Sequence, residues 1–126
     1  MRNLQDLLDG FNILVADPAA FNLFSVSKAN KNPYFNMVEK KEHGYFGLVK
    51  KGDDRYASRQ TAPQVFEINA SFYFYRKSFF EAGLRSAITE KSLIYQMQHT
   101  CFDLDHPVDF DFLEFLVKEN KLDFQL

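Results

Sequence analysis

The 126 residues suffice for one folded domain, and the 46% hydrophobic and 25% charged content excludes a disordered or fibrous chain. A net charge of −2 gives no reason to expect a nucleic-acid partner. A lone cysteine, Cys101, excludes an internal disulfide, and no apolar run has the length of a signal peptide core or a membrane span, so we predict a cytoplasmic protein without a membrane partner.

The N-terminal segment has the apolar spacing of an amphipathic helix. The residues that carry this spacing are Leu4, Leu7, Leu8, Phe11, Leu14 and Val15. With Asn3 as N-cap and Pro18 beyond the end, the pattern predicts a helix over residues 4–16. The short apolar stretch FNLFSVSK that follows predicts a buried strand, which ends before the proline of NPYF.

The middle of the chain has the pattern of a hairpin followed by a loop. Two alternating segments in FNMVEKKEHGYFGLVKK flank Glu42, His43 and Gly44, which predicts two strands and a turn. The next segment, KGDDRYASRQTAP, has the composition of a loop.

The segment VFEINASFYFYRK is the strongest strand pattern in the sequence. Strict alternation would place Phe66, Ile68, Ala70, Phe72 and Phe74 on one face and Asn69, Ser71, Tyr73 and Tyr75 on the other. Since both faces contain residues that favour burial, we expect a central strand that is covered on each side.

The C-terminal third contains shorter elements and a second amphipathic helix. SFFEAGL predicts a short helix that ends near Gly83, and LIYQMQ and TCFDLD predict two short strands or one irregular strand. HPVDFDFLEFLVKEN predicts a helix over residues 107–119, with Pro107 near its first position and acidic residues in its first turn. Strands interleaved with helices indicate the α/β class, and nothing suggests a linker within residues 1–126.

Aromatic residues and charges are unevenly distributed along the chain. The chain has 15 Phe and no Trp, and we expect part of this apolar surface to be covered in an oligomer. From Lys28 to Arg59 there are eight basic and four acidic residues, whereas residues 101–126 include seven acidic and two basic ones. The middle of the chain therefore suits anions and the end suits cations, unless both are ordinary solvated surface.

Asp103 and Asp105 are the strongest candidates for a chemical role. If residues 100–105 are extended, both carboxylates share a face with His99 and Cys101, and Phe102 and Leu104 point into the core. Two carboxylates at the end of a strand suit Mg²⁺, which binds few protein oxygens and completes its shell with water and phosphate. Two alternatives remain open: Asp105 or its neighbour caps the following helix, or His99, Cys101 and Asp103 bind a softer metal.

A second candidate site lies on the polar face of the predicted central strand. Asn69 and Ser71 lie on that face, and an amide beside Arg59 and Gln60 could hold a carboxylate or a hydroxyl-rich ligand. The alternative is an interior asparagine whose hydrogen bonds are all made within the protein.

Three segments in this order resemble one enzyme family. SVSKANKNPYFNMVE, RQTAPQVFEINASFYFYRKSFF and CFDLDHPVDFDFLEFL are similar to the C-terminal half of the acylneuraminate (CMP-nonulosonic acid) cytidylyltransferases. These enzymes join CTP to sialic acid or to related sugar acids such as legionaminate and pseudaminate. The resemblance covers almost the whole chain and implies an α/β nucleotide-diphospho-sugar transferase (Rossmann-like) fold with a mixed sheet and a protruding hairpin.

The resemblance also implies roles for particular residues. The family's alternating aspartates, which bind the catalytic Mg²⁺, correspond to Asp103 and Asp105. Its arginine–glutamine pair and its strand asparagine correspond to Arg59, Gln60 and Asn69, which places these residues and the neighbouring Ser71 at the sugar-acid pocket. The family's hairpin and loop correspond to residues 32–59, which are implied to form a homodimer.

Two departures from the family pattern qualify these expectations. Glu67 stands where sialic acid synthetases often have an arginine, which favours a different nonulosonic acid as substrate. The family's triphosphate loop and cytosine-binding residues have no counterpart in residues 1–126, which match a truncated cytidylyltransferase-like domain without its nucleotide-binding half. We therefore expect a partial synthetase with weak or no Mg²⁺ binding by itself, or alternatively a non-catalytic remnant that only self-associates.

Overall fold

A computed structural model describes residues 2–51, 61–101 and 104–124. The elements in chain order are α1 (Leu4–Ala16), β1 (Asn22–Lys28), β2 (Val38–Lys40), β3 (Phe46–Leu48), β4 (Phe66–Tyr75), α2 (Lys77–Glu81), β5 (Ser92–Gln96) and α3 (Pro107–Lys118). They form two compact units, one of residues 1–27 and 68–126 and the other of residues 28–67. The predicted helices at 4–16 and near 107–119, the short helix before Gly83 and the hairpin are confirmed.

The larger unit has a mixed sheet in the order β4-β1-β5. β1 and β5 are parallel, with Leu23 beside Leu93, whereas β4 runs antiparallel to β1 and places Arg76 beside Phe21. The chain is therefore α/β, and the sheet is compatible with a Rossmann-like domain. The prediction of a central position for the Asn69 strand is wrong for the described residues, because β1 is central and β4 lies at the edge.

Helix α1 begins at a capping box and packs closely on the sheet. The Asn3 side chain accepts a hydrogen bond from the Asp6 backbone N–H, and the Asp6 carboxylate accepts one from the Asn3 N–H. Near the middle of the helix, Gly10 lies against the Phe72 ring so closely that an added Cβ would be 2.8 Å from Phe72 Cε2. The absence of a side chain at Gly10 therefore sets how near α1 approaches β4.

The hydrophobic core lies between α1 and the sheet. Its buried members are Leu14, Ala20, Leu23, Phe72, Tyr95 and Met97. Helix α3 contains no buried residue, so it adds nothing to this core, contrary to the prediction that it packs on the sheet as α1 does. Phe110 and Phe112 of this helix are exposed, whereas Leu113 and Leu116 are half-buried.

Strand β4 departs from strict alternation near its middle. Ala70 has φ of 51°, a left-handed conformation that is unusual for alanine, and its side chain is exposed. Consecutive residues Ser71 and Phe72 are then both buried. The predicted apolar face is consequently wrong at Ala70, although Phe72 and Phe74 do share the face that packs near α1.

The smaller unit contains the hairpin β2–β3 and a loop held by Asn32. Val38 lies opposite Leu48, and the turn passes through Gly44, whose φ of 81° favours glycine. The buried Asn32 side chain donates to the Pro63 carbonyl oxygen at 2.9 Å and accepts from the Tyr34 N–H at 2.9 Å. A dimerisation role for residues 32–59 remains a prediction.

Candidate functional site

Asn69 lies in a buried hydrogen-bond network within the larger unit. Its Oδ1 accepts from Ser25 Oγ at 2.6 Å and from the Ser71 N–H at 3.2 Å, and its Nδ2 donates to Ser27 Oγ at 2.9 Å. Both lone pairs of the amide oxygen are thus used, while one of the two Nδ2 hydrogens has no partner among the described residues. The arrangement fits the alternative of an asparagine satisfied inside the protein, yet it leaves one N–H for a ligand.

Ser71 and Cys101 lie side by side next to this network. Ser71 is buried, and its Oγ lies 3.8 Å from Cys101 Sγ. The Ser71 carbonyl oxygen accepts a hydrogen bond from Arg2 Nη1 at 2.6 Å. Asn69 and Ser71 lie on the same strand, and Arg59 and Gln60 lie outside the described residues, so a sugar-acid site formed by all four stays a prediction.

Asp105 lies just before α3 with its carboxylate exposed. Its backbone N–H and that of His106 both donate to Asp109 Oδ2, at 3.1 and 2.8 Å. Asp109, not Asp105, therefore supplies the carboxylate that caps the helix. Among the described residues, nothing hydrogen-bonds to or pairs with the Asp105 carboxylate, which is accordingly open to a ligand.

Other expectations around the aspartate pair need correction. Leu104 is 50% exposed and does not point into the core. His99 is turned away to Asp6, which counts against the alternative of a soft metal held by His99, Cys101 and Asp103. Asp103 lies outside the described residues, and within the described part no cluster of three or more His, Cys, Asp or Glu could hold a metal ion.

The chemistry of the donors nevertheless fits a magnesium ion. Mg²⁺ binds carboxylate oxygens and usually uses only one or two of them, so a three-residue cluster is not required. The exposed, unpaired Asp105 meets this condition, with Asp103 two residues earlier as the second candidate ligand.

A buried acid–histidine cluster was missed by the sequence patterns. Asp6 accepts hydrogen bonds from Tyr95 OH at 3.0 Å and contacts His99 Nε2 at 2.9 Å. Burial acts to raise the pKa of Asp6, but hydrogen bonds from His99, Asn3 and Tyr95 outweigh it and hold the pKa below its ordinary value. The only local signal was an acid three residues after Asn3, since His99 is distant in sequence.

The described helices are all too short or too polar to cross a membrane.

The fold and the candidate site define an α/β protein with a mixed sheet and an exposed acidic residue, Asp105, just before helix α3. No family model matches the chain. Over 122 residues, 97% of the chain, it is 29% identical to post-translational flagellin modification protein B of Campylobacter coli, of which it covers 50%. Over 100 residues, 79% of the chain, it is 31% identical to CMP-N,N'-diacetyllegionaminic acid synthase of Campylobacter jejuni, of which it covers 41%.

These similarities support one family. The chain resembles the C-terminal half of the acylneuraminate (CMP-nonulosonic acid) cytidylyltransferases. It spans about half the length of the curated relatives that it matches.

Proposed function

We propose that this chain forms the sugar-acid-binding and metal-binding part of a CMP-nonulosonate synthetase. The complete reaction transfers a cytidylyl group from CTP to the anomeric hydroxyl of a nonulosonic acid. A new oxygen–phosphorus bond forms at the α-phosphorus, the hydroxyl gives up its proton, and the bond to the pyrophosphate leaving group breaks. The similarity to a CMP-legionaminic acid synthase supports this reaction. A segment corresponding to the part of the relatives that these 126 residues do not match would supply the triphosphate loop.

The exposed Asp105 carboxylate carries the proposal. An aspartate next to a helix start would ordinarily accept backbone N–H bonds, but here Asp109 takes that role. Asp105 is therefore free to hold Mg²⁺ together with Asp103. The ion would stabilise negative charge on the phosphoryl oxygens.

Asn69 and Ser71 would act at the sugar acid together with Arg59 and Gln60. The Asn69 amide is fixed by Ser25 and Ser27, so its remaining N–H would be held in one direction. An arginine beside it would suit the carboxylate of the sugar acid. Glu67 in place of the arginine common in sialic acid synthetases favours legionaminate or a related acid over sialic acid.

The 126-residue chain should be a poor enzyme by itself. Phosphoryl transfer depends mainly on positioning and on charge stabilisation, and both require the triphosphate-binding residues. Mg²⁺ also binds weakly to two carboxylates when no phosphate completes its shell, because it gives up water reluctantly. We therefore expect activity only when a polypeptide corresponding to the rest of the relatives is supplied.

A complementation assay tests the proposal. CTP, Mg²⁺ and a panel of nonulosonic acids are incubated with the chain, with and without the complementary polypeptide, and pyrophosphate release is measured. Asp105→Asn and Asp103→Asn should each lower the complemented rate by about two orders of magnitude, as expected when a charge-stabilising group is lost. Asp111→Asn, an equal change at an exposed acid within α3, is the matched control and should retain activity.

Two results would contradict this assignment. If both substitutions leave the complemented rate unchanged and lower the melting temperature instead, the carboxylates stabilise the start of α3. If no sugar acid supports pyrophosphate release in the complemented mixture, the chain is not the half of a working synthetase.

A second candidate function is self-association without catalysis. Strand β4 forms one edge of the described sheet, and its Tyr73 and Tyr75 rings, 6.2 Å apart and stacked, are each 38% exposed. An open strand edge with exposed aromatic side chains is a template for pairing with another chain. A homodimer would give twice the monomer mass by light scattering, and a clean monomer at high concentration would exclude this function.

A further inference from the structure

Helix α1 has a second apolar face, which the hydrophobic core does not use. Leu4, Leu8, Phe11 and Val15 follow one another at intervals of four, three and four residues, so they form one line along the helix. They are 71%, 48%, 52% and 52% exposed, although large apolar side chains gain free energy by burial. These four side chains, the α1 stripe, therefore lie largely in solvent in the part of the chain that the structure describes.

The α1 stripe is separate from the face of α1 that packs on the sheet. On the sheet-facing side, Leu14 belongs to the buried core and Gly10 lies against Phe72. A third side of the helix is polar, and there Gln5 Nε2 donates to Asp9 Oδ1 at 2.8 Å. Two apolar faces and one polar side are typical of a helix that packs on a sheet and on a neighbouring helix at the same time.

The α1 stripe lies on the side of the helix that faces β4. Phe11 of the stripe meets Phe74 of β4 edge to face, with ring centroids 6.1 Å apart. On the other side of α1, Asp6 accepts a hydrogen bond from Tyr95 OH of β5 at 3.0 Å. Since β4 is an edge strand of the described sheet, the sheet and the helix layer are both open on the same side.

We propose that the α1 stripe is the docking site for a helix of the polypeptide that corresponds to the rest of the relatives. A strand connected to that helix would extend the sheet beside β4. The inference rests on the proposed function, because its partner is the polypeptide that would complete the synthetase.

The length of the relatives and the shape of the open side favour this partner over a second copy of the chain. The 122 matched residues are 50% of flagellin modification protein B, so a comparable length of that protein has no counterpart here. Strands and helices alternate along an α/β chain, so one connected unit would cover the stripe and the β4 edge together. The stripe carries no charge, and its spacing is the one by which apolar side chains of two helices interdigitate.

Co-expression tests the docking without any enzymatic activity. The half of the Campylobacter coli protein that this chain does not match is produced with an affinity tag together with the 126-residue chain, and the chain that is purified with it is measured. Light scattering should give the mass of one chain bound to one partner. Leu8→Lys should lower the amount of bound chain at least about tenfold, because it leaves a charge in an apolar interface.

Matched variants separate the stripe from a general effect of added charge. Ile13→Lys places the same charge on another side of α1, at a side chain that is 41% exposed, and should bind as the unmodified chain does. Urea unfolding of the isolated chain should be the same for Leu8→Lys and for the unmodified protein, since position 8 lies partly in solvent there. If Leu8→Lys unfolds more easily, Leu4→Lys at the most exposed position of the stripe takes its place.

Three results would overturn the proposal. They are the absence of a complex with the unmodified chain, a complex that the stripe variants leave unchanged, and a stripe occupied by a second copy, which light scattering would show as twice the monomer mass with no partner bound. The outcome is separate from that of the complementation assay. A one-to-one complex without pyrophosphate release refutes only the proposed reaction, and pyrophosphate release that Leu8→Lys leaves unchanged refutes only this docking site.

Discussion

Replacement of Asn69 by alanine should destabilise the protein strongly, whatever Asn69 does for a substrate. The amide makes three hydrogen bonds inside the larger unit, to Ser25, Ser27 and the Ser71 backbone N–H. Alanine has the size of the Cβ alone and can make none of them. The cost is therefore the loss of three hydrogen bonds within a buried network.

The expected loss of stability in Asn69→Ala follows from those contacts. A hydrogen bond contributes about 1 kcal/mol net, and a buried donor left without a partner costs about 1–3 kcal/mol. Ser25 keeps a bond to the Phe72 N–H at 3.1 Å, but the three bonds of the amide, to Ser25, Ser27 and the Ser71 N–H, are all lost. We therefore expect Asn69→Ala to lower the free energy of unfolding by about 3 kcal/mol and the melting temperature by roughly 10 °C.

Urea unfolding followed by circular dichroism measures this change. Ser27→Ala removes only the acceptor of the Asn69 Nδ2 bond and should cost about 1 kcal/mol, which gives a graded comparison. Asn12→Ala, at an exposed position of α1, is the control and should be neutral or slightly stabilising. An Asn69→Ala protein as stable as the unmodified chain would refute the buried network, and loss of complemented activity alone would then assign Asn69 to the substrate.

Two further predictions concern helix α1. Gly10→Ala should lower the free energy of unfolding by about 1 kcal/mol in urea unfolding. Phe72 is packed between Phe74 and Tyr95 and cannot move away from a Cβ at 2.8 Å, and this overpacking outweighs the better helix propensity of alanine. Equal or greater stability of the variant would contradict this reasoning. The pKa of Asp6 is lowered in the folded state, so its contribution to stability is present above pH 3.8 and is lost as the pH falls through the pKa of the folded state. The acid-unfolding profile of Asp6→Asn should lack this loss of stability. A pH dependence equal to that of the unmodified chain would contradict the prediction.

Local patterns predicted those parts of the fold that depend on neighbouring residues. The bounds of α1 follow from apolar spacing and from Asn3, and Pro107 indicates where α3 begins. The resemblance to the cytidylyltransferases also came from local motifs, since each lies within one short segment. These features are readable because caps, turns and motifs act over a few residues.

Features that depend on distant residues could not be read in the same way. Nothing in the sequence around Ala70 indicates a positive φ, so the alternation pattern continued through a position where the strand breaks it. The contact between Asp6 and His99 joins residues 93 positions apart and needs the tertiary fold. The choice of Asp109 over Asp105 as the capping carboxylate depends on where the chain turns into α3.

Asn69 and Asp105 differ in the number of donors and acceptors that their contacts leave unused for a ligand. Among the described contacts the Asn69 amide has one N–H unused, so a substrate role for it would consist of one donated hydrogen bond in a direction fixed by Ser25 and Ser27. The Asp105 carboxylate is exposed and neither of its oxygens has a partner in the part of the chain that the structure describes, so it adds little to the stability of the fold. Substitution of Asn69 should therefore be judged first by unfolding and that of Asp105 by catalysis, because only at Asp105 can chemistry be lost while the fold is kept.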